Sequence, residues 1–315
     1  MSEVKKLATR EGYAQGLLEL GEKYDNMVVM DADLAAATKT EVFKKAYPDR
    51  FIDCGIAEAD MIGIAAGLVS TGKLVFASSF AMFAAGRAYE QIRNSIGYPA
   101  LPLKIGATHA GISVGEDGAT HQCNEDIALM RTIPGMTIIN PADAVEAKAA
   151  TIAAASIDGP VYLRFGRLAV PVFNDEDSYV FTPGKGIRLA EGNDVTIIAT
   201  GLMVNEARIA GELLAKQGIH ADIINIHTIK PIDKDIIIES AEKTGTVVVA
   251  EEHSIIGGLG SAVCEVLSEN LPTPVRRIGM NDEYGMSGSA VELLKHYGFS
   301  AENIAKVAAE AVKAK

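Results

Sequence analysis

Cysteine and positive charge are both scarce in this 315-residue chain. Its three cysteines, Cys54, Cys123 and Cys264, form no CxxC pair and are odd in number, so we interpret them as reduced thiols of a cytoplasmic protein. With 29 Lys and Arg against 41 Asp and Glu, the net charge is -12. An acidic chain repels phosphate backbones, so we expect no nucleic-acid binding, although local Arg and His clusters can still bind a small anion.

Long apolar runs are lacking as well. No stretch is apolar over the length of a membrane span, and the opening segment MSEVKKLATREGYAQG has no apolar core of the kind found in signal peptides. We therefore expect neither membrane insertion nor secretion. The GxGxxG signature of dinucleotide sites, the P-loop signature and the HExxH metal motif do not occur, and the glycines of Gly257–Gly260 predict only a tight turn before a helix.

What the sequence does contain is an alternation of short β-branched runs with Ala- and Leu-rich segments of helical period. This pattern is typical of α/β folds, and it predicts two domains that each have a mostly parallel sheet flanked by helices. Residues 171–186 are polar, acidic and rich in turn formers, so we interpret them as a linker between domains at 1–170 and 187–315.

The individual elements follow from the same periodicity. Strands are predicted at 27–33, 74–78, 101–107, 136–140, 160–166, 195–200, 221–227, 246–252 and 275–280, and helices at 9–24, 57–70, 83–97, 142–156 and 203–217. Ser289 with Glu292 predicts a capping box, and Ser300 predicts the N-cap of the last helix.

Glu58 stands at the mouth of an apolar, glycine-bearing helical segment, GIAEADMIGIAAGL. A carboxylate in the first turn of a helix is commonly explained by the helix dipole, so Glu58 alone does not indicate a site. After the next predicted strand, Phe80 and Phe83 stand three residues apart. That spacing fits either core residues on one helix face or an apolar slot for a flat ring.

A glycine-rich loop after the third predicted strand carries His109, Asp117 and His121. Loops at the carboxyl end of a parallel sheet bind ligands, and histidine donates to oxyanions or moves protons near neutral pH. A metal site and a plain surface loop are the alternatives, and the metal is disfavoured because the HxxxH spacing is absent. At the end of the fifth predicted strand, Arg164 and Arg167 suit either phosphate binding or a surface salt bridge.

In this order, the segments GIAEADMIGIAAGL, SSFAMF, GISVGEDGATHQ and RFGR resemble the C-terminal half of transketolases, which are thiamine-diphosphate-dependent transferases. The segments MVVMDADLA, INPADAVEA, HTIKPID and EEHSIIGGLG resemble the same family, so the likeness covers essentially the whole chain. It implies a pyrimidine-binding domain at 1–170 and a transketolase C-terminal domain at 187–315. It also implies reversible transfer of a two-carbon ketol group from a ketose phosphate to an aldose phosphate, as in the pentose phosphate pathway.

The resemblance assigns four residues to the cofactor. Glu58 matches the glutamate that hydrogen-bonds the aminopyrimidine nitrogen and so promotes removal of the thiazolium C2 proton. Phe80 and Phe83 match the apolar slot around the pyrimidine, and Asp33 matches an aspartate close to the cofactor at the subunit interface. A third aromatic of the family would fall at Gly86, where this sequence departs from the pattern.

Three further residues match positions that contact the sugar. His109, Asp117 and His121 correspond to groups that bind the hydroxyls and carbonyl, and His121 to the one that transfers protons. Arg167 and Arg10 match arginines that bind the sugar phosphate. A serine that assists phosphate binding in full-length members would fall near Ala37, which is the second departure.

Full-length members also carry a preceding diphosphate-binding domain whose GDG motif ligates Mg²⁺, and this sequence contains no GDG. The resemblance therefore implies a separately encoded second subunit, inactive alone, whose site is completed by an N-terminal partner subunit that carries GDG and the Mg²⁺ ligands. With self-association through a second copy, the implied assembly is a two-plus-two heterotetramer.

Four alternatives stay open, among them a related aldol-type transfer on another sugar phosphate. Deoxyxylulose-phosphate synthase shares this half, but it has an arginine at the position of His109 and a shorter loop. The β-subunit of 2-oxo-acid dehydrogenases usually has HSQ where this chain has Thr120-His121-Gln122. From a different class, a non-catalytic regulatory or assembly subunit would keep the fold without the reaction.

Overall fold

Two sheets of mainly parallel strands, flanked by helices, organise the computed structural model, which describes residues 5–315. The first four residues of the domain predicted at 1–170, and with them the start of the segment tested for a signal peptide, lie outside the described residues. The predicted fold class, two α/β units with mostly parallel sheets, is confirmed.

The elements alternate as the sequence predicts, with several short ones added. Up to the linker the chain forms β1 (Lys6–Ala8), α1 (Thr9–Lys23), β2 (Met27–Asp31), α2 (Ala35–Thr38), α3 (Glu41–Ala46), β3 (Phe51–Asp53), α4 (Glu58–Ser70), β4 (Leu74–Phe80), α5 (Tyr89–Gln91), β5 (Lys104–Thr108), α6 (Asp126–Arg131), β6 (Thr137–Ile139), α7 (Ala144–Ala154), β7 (Val161–Arg164) and β8 (Ala169–Pro171). After it come β9 (Ile187–Ala190), β10 (Val195–Ala199), α8 (Met203–Ala215), β11 (Ala221–Asn225), β12 (Thr228–Lys230), α9 (Lys234–Thr244), β13 (Val247–Ser254), α10 (Leu259–Asn270), β14 (Val275–Met280), α11 (Ala290–His296) and α12 (Ala301–Lys313). Short 3-10 helices span Pro48–Arg50 and Ile112–Asp117, and π-helical turns span Met82–Arg87 and Ile92–Gly97.

The first sheet has seven strands in the order β12-β6-β7-β5-β4-β2-β3. All of its pairs are parallel except the one between β12 and β6. At its centre, β4 and β5 run in register, with Phe80 opposite Thr108. The loops that leave these two strands therefore start side by side at the carboxyl edge of the sheet, where α/β proteins place ligands.

The second sheet has five strands in the order β14-β13-β10-β11-β9, and β9 alone is antiparallel. The two units are not separate in their packing. Strand β12 follows the linker in sequence but pairs with β6 of the first sheet, with Thr228 opposite Ile139. One hydrophobic core also runs through both units and includes Met30 and Ile105 from the first and Ile198 and Val249 from the second.

Two local predictions need correction. The helix predicted at 83–97 is broken into π-helical turns and the short α5. A π-helical turn takes up an extra residue, and this is invisible to a search for a 3.6-residue period. Ser289 is the N-cap residue of α11, but its side chain makes no capping hydrogen bond, so the predicted capping box is wrong. Ser300 does cap α12, because its side chain accepts from the backbone N–H of Asn303 at 3.3 Å.

Helix α1 packs against α7 through a glycine that leaves no room for a side chain. A Cβ built on Gly12 would lie 2.1 Å from the carbonyl oxygen of Ala144. Gly63, in the middle of α4, has no atom within 4 Å of the same position. Both glycines have helical backbone conformations, but only Gly12 is closely packed against a neighbouring helix.

We expect Gly12→Ala to lower the free energy of unfolding by about 1–3 kcal/mol, because the added methyl group must push α1 and α7 apart. Gly63→Ala, the matched control, should raise it by about 0.5–1 kcal/mol, because alanine loses less backbone entropy in a helix than glycine does. Urea unfolding of the isolated chain measures both. Equal effects of the two substitutions would contradict the close packing of α1 on α7.

Candidate active site

Glu58 is the first residue of α4 and is almost completely buried, with 1% of its surface exposed. The Ser79 hydroxyl lies 3.3 Å from Oε1 and donates to it, and Nη1 of Arg87 donates to Oε2 over 2.7 Å. A first-turn carboxylate that serves only the helix dipole would face water. Glu58 instead faces the carboxyl edge of the first sheet, where Ser79 lies on β4.

Arg87 was missed in the sequence, although it is the ion-pair partner of Glu58. Its guanidinium carbon lies 4.6 Å from the centroid of the Phe83 ring, so the cation covers the face of that ring. The available signal was weak: an arginine one helical turn after an aromatic residue. Nothing local in the sequence indicates that the acid it meets is Glu58, 29 positions earlier.

Two aromatic rings and two imidazoles stack beside Glu58. The centroids of Phe80 and Phe83 are 5.8 Å apart, and the ring of His109 lies over Phe80 at 3.7 Å. His121 meets the Phe83 ring edge-on at 5.2 Å. The structure therefore brings together residues from the ends of β4 and β5 that the sequence predicted as two separate features, and we call these four side chains the aromatic–histidine cluster.

The missing third aromatic at Gly86 leaves no gap in the protein. A Cβ at this position would lie 2.4 Å from the terminal methyl carbon of Met82, so a thioether side chain fills the adjacent space. Methionine is flexible and polarizable, which suits it to irregular spaces beside aromatic rings.

His109 is held in a defined protonation state. It has a left-handed backbone conformation, with φ at 56°. Its Nε2 lies 2.9 Å from Nη1 of Arg10, and its Nδ1 lies 2.9 Å from the hydroxyl of Thr108. Because a guanidinium only donates hydrogen bonds, Nε2 accepts, and the single ring proton is on Nδ1. Burial, and after it the positive charges of Arg10 and Arg167, lower the pKa of His109 from 6.5 to about 3.

The two predicted phosphate-binding arginines lie at the rim of the cluster. Besides contacting His109, Arg10 donates to the carbonyl oxygen of Ala37 at 2.8 Å. Arg10 therefore contacts the backbone near the position where full-length members of the family have a serine. Arg167 donates to the carbonyl oxygen of Val114 at 2.7 Å and lies 3.4 Å from Asp117 Oδ2. Burial, and after it the positive charge of Arg167, lowers the pKa of Arg10, so the two cations act on the same region.

Two other predicted residues are placed differently. Asp33 is exposed, has φ at 64°, and its backbone N–H donates to Asp53. Within residues 5–315 no hydrogen bond or ion pair joins it to Glu58 or the aromatic–histidine cluster. Arg164 is buried and forms an ion pair with Asp126 at 2.8 Å, so this arginine serves the interior and is unavailable for a phosphate.

The segment Gly111-Ile112-Ser113-Val114-Gly115 has the GxSxG spacing of serine hydrolases, but its geometry excludes that chemistry. Ser113 is buried, whereas the serine of that motif is exposed on a sharp strand-to-helix turn. Its backbone N–H instead donates to Glu252 Oε1 at 2.6 Å.

Residues 5–315 contain no group of three or more His, Cys, Asp or Glu side chains that could hold a metal ion. Among the helices of this same range, none combines the length and the apolar character that a membrane crossing requires.

Comparison with known protein families shows which family the chain belongs to. The family model described as "Transketolase, pyrimidine binding domain" matches residues 5–172, and the one described as "Transketolase, C-terminal domain" matches residues 184–304. The chain belongs to the transketolase family. Its transketolase-type fold is therefore confirmed, and the family is one of thiamine-diphosphate-dependent transferases.

Similar proteins include subunits of split transketolases. A putative transketolase C-terminal section from Methanocaldococcus jannaschii is 53% identical over 306 residues, which is 96% of each chain. The 6-deoxy-6-sulfo-D-fructose transketolase subunit from Clostridium sp. is 45% identical and covers 97% of this chain and 95% of its own. A solved structure described as "Split gene transketolase, inactive beta4 tetramer" superimposes with a TM-score of 0.89 at 48% identity, over 98% of this chain and 99% of the other. This chain is accordingly a split-type subunit of the transketolase family.

The residues at the site fit the family's cofactor. The buried carboxylate of Glu58 is linked through Arg87 to the ring of Phe83, which stacks on Phe80. An aminopyrimidine is flat and has a ring nitrogen that needs a hydrogen-bonding partner, so a carboxylate next to an apolar wall meets both requirements.

We expect the His109 ring to remain neutral at pH 5, with its proton on Nδ1. The pKa in the folded chain, about 3, lies below the ordinary value of 6.5. The stability associated with neutral His109 is therefore fully present above about pH 6.5 and is lost as the pH falls towards 3. An NMR titration of the imidazole signals measures the midpoint, and a midpoint near 6.5 would contradict the assignment.

The same titration has a matched pair of variants. Arg10→Met should raise the pKa of His109, because it removes a positive charge that disfavours the imidazolium. Arg93→Met, which changes an exposed arginine on the π-helical turn at Ile92–Gly97, should leave that pKa unchanged.

Proposed function

We propose that this chain is the C-terminal subunit of a split transketolase and that, with an N-terminal partner subunit, it transfers a two-carbon ketol group reversibly from a ketose phosphate to an aldose phosphate. The observation that carries the proposal is the convergence of buried Glu58 with the aromatic–histidine cluster at the carboxyl edge of the first sheet. Five side chains from three sequence regions meet there.

The cofactor-facing groups have separate tasks. Thiamine diphosphate, when bound, supplies the carbanion chemistry of the reaction. Glu58 would hydrogen-bond the pyrimidine ring nitrogen through its carboxyl group, while Phe80 and Phe83 would orient the flat ring and exclude water from it. Arg87 holds Glu58 Oε2 in place and so fixes the direction of the carboxylate. Mg²⁺ and its ligands are assigned to the partner subunit, and Asp33 to the interface near the cofactor.

The substrate-facing groups divide into neutral and charged ones. His109 and Asp117 would bind the sugar hydroxyls and carbonyl, and His121 would move protons to and from the sugar oxygens. Because His109 is neutral at physiological pH, the positive charge that attracts an anionic sugar comes from Arg10 and Arg167. These arginines would bind the phosphate at the rim, with the reacting end of the sugar towards Glu58.

The partner proposal is supported by the relatives. The Clostridium protein is named as a subunit, and the solved split transketolase is described as an inactive beta4 tetramer. By analogy, we assign to this chain self-association through a second copy, an N-terminal partner with the GDG motif, a two-plus-two heterotetramer and a cytoplasmic location.

A second substrate class follows from the same two arginines. The relative that is 45% identical acts on 6-deoxy-6-sulfo-D-fructose by its name. A guanidinium binds the oxygens of a sulfonate as it binds those of a phosphate. Sulfonated ketoses are therefore the second candidate donor, alongside phosphorylated ketoses.

The purified chain mixed with its partner subunit, thiamine diphosphate and Mg²⁺ should catalyse ketol transfer, and the chain alone should not. Glu58→Ala in this mixture should lower turnover by about 10²–10⁴-fold, the range for loss of an acid–base group, while circular dichroism stays unchanged. Turnover by the chain alone would refute the need for a partner. Wild-type turnover by the variant would refute the role of Glu58.

Arg167→Ala should mainly raise the KM for phosphorylated sugars, because a contact to the non-reacting phosphate contributes equally to ground-state and transition-state binding. Unphosphorylated sugars should show little change. Arg276→Ala, which removes a half-exposed arginine of the second sheet, serves as the control. Equal effects of Arg167→Ala on both kinds of sugar would argue against a phosphate contact.

A further inference from the structure

The second unit contacts the loop that carries both active-site histidines. This loop, residues 109–122, is called the substrate loop here and follows β5. From β13, Glu252 accepts the backbone N–H of Ser113 at 2.6 Å. From the segment before α11, the carbonyl oxygen of Met286 accepts from Gln122 Nε2 at 2.9 Å. The two contacts lie near the middle and at the end of the loop.

Glu252 accepts hydrogen bonds through its backbone carbonyl as well as through its side chain. Its carbonyl oxygen accepts from Nη2 of buried Arg164 at 3.0 Å, which ties β13 to β7. Its carboxyl group fills the space beside Gly111, where a Cβ would come within 2.4 Å of Glu252 Cδ. Gly111 also has φ at 80°, a conformation that side chains disfavour. The loop can therefore approach Glu252 this closely only with glycine at position 111.

Gln122 fixes the far end of the substrate loop. Its buried side-chain amide donates to the carbonyl oxygen of Gly115 at 3.0 Å in addition to that of Met286. A Cβ on Gly285 would lie 1.9 Å from Gln122 Oε1, and one on Gly118 would lie 2.4 Å from Ser287 Oγ. The loop and the segment of the second unit thus meet at backbone distance, and glycines on both sides make this possible.

A buried carboxyl group is unfavourable unless it makes a specific contact. Burial raises the pKa of Glu252 to about 7, against the opposing effects of Arg164 and the N–H of Ser113. Oε1 can accept from Ser113 whether or not the group carries a proton. A leucine at this position would fill a similar volume without desolvating a charge, so the retained polarity is explained by the contact with the loop.

We propose that Glu252 and Gln122 are positioning residues that hold the substrate loop in the conformation that places His109 and His121 against Phe80 and Phe83. Among residues 5–315, neither side chain makes a hydrogen bond to Glu58 or to the aromatic–histidine cluster. The proposal gives the second unit a defined task in the reaction, and it rests on the proposed ketol transfer.

The loop conformation can be tested without turnover by hydrogen exchange of the amides at 109–122. Glu252→Leu removes the acceptor, and Glu252→Gln keeps one. Glu251→Leu is the matched control, because the neighbouring carboxylate on the same strand accepts from the backbone N–H groups of Leu259 and Gly260 at the start of α10 and makes no hydrogen bond to the loop. Gln122→Met removes the second contact and leaves β13 unchanged. If Glu252→Leu does not fold, exchange in Gln122→Met alone tests whether these contacts hold the loop.

Exchange at 109–122 should rise in Glu252→Leu and Gln122→Met and stay near wild type in Glu252→Gln. In Glu251→Leu it should rise at α10 and not in the loop. In the assembled enzyme, Glu252→Leu should lower kcat/KM by about 10²-fold, mainly through kcat, because a displacement of about 1 Å costs that much. Glu252→Gln should restore most of it.

Unchanged loop exchange in both Glu252→Leu and Gln122→Met would overturn the proposal. So would raised exchange with kcat/KM at the wild-type value, because the loop would then be held without consequence for the reaction. Absence of ketol transfer by the wild-type assembly refutes the proposed function instead, and the exchange data on the isolated chain still decide whether these two residues hold the loop.

Discussion

The buried ion pair between Arg164 and Asp126 is the contact on which the rest of the site depends. The guanidinium of Arg164, at the end of β7, lies 2.8 Å from Asp126 Oδ2 at the start of α6, and the Tyr162 hydroxyl donates to the same oxygen. A second nitrogen of the same guanidinium reaches the backbone of Glu252 in the other unit. Removal of one partner from such a pair typically costs about 3–5 kcal/mol, because the other charge stays buried. The substrate loop ends just before Asp126, so this pair also fixes where the loop rejoins the fold.

The charged side chains of the site fall into two groups, the ion pair at Glu58 and the two arginines at the rim. The negative charge of Glu58 is matched by Arg87, and within the aromatic–histidine cluster the ring of His109 is uncharged because its Nε2 accepts from Arg10 and carries no proton. The positive charges of Arg10 and Arg167 lie outside it. Electrostatic interactions are stronger where water is excluded, so the charge of Arg87 acts strongly on the buried carboxylate of Glu58. An anionic group on a substrate finds its favourable position at the rim.

Sequence patterns predicted the parts of this structure that depend on neighbours in the chain. Strand runs, the position of Glu58 at a helix start and the histidine loop at a sheet edge follow from short-range periodicity. The contact between Arg87 and Glu58 spans 29 positions, and the one between Glu252 and Ser113 spans 139, so neither leaves a local signal. At Ser289 a local signal is present but misleading. The capping-box sequence occurs there, yet the side chain makes no capping hydrogen bond, because residue types alone do not fix the side-chain conformation. The fold class was therefore accessible from the sequence, while the hydrogen-bonding partners within the site were not.

The pairing of β12 with β6 has a consequence for how this chain can be divided. Residues 228–230 lie beyond the linker, yet they form the outermost strand of the first sheet. A chain cut at 171–186 would leave the backbone N–H and C=O groups of β6 open along one edge, and open edges pair with other chains. During synthesis, the first sheet likewise cannot be completed until residues 228–230 of the second unit have been made. The two units therefore depend on each other structurally. Replacement of the second unit by that of a related protein would also replace the edge strand of the first sheet.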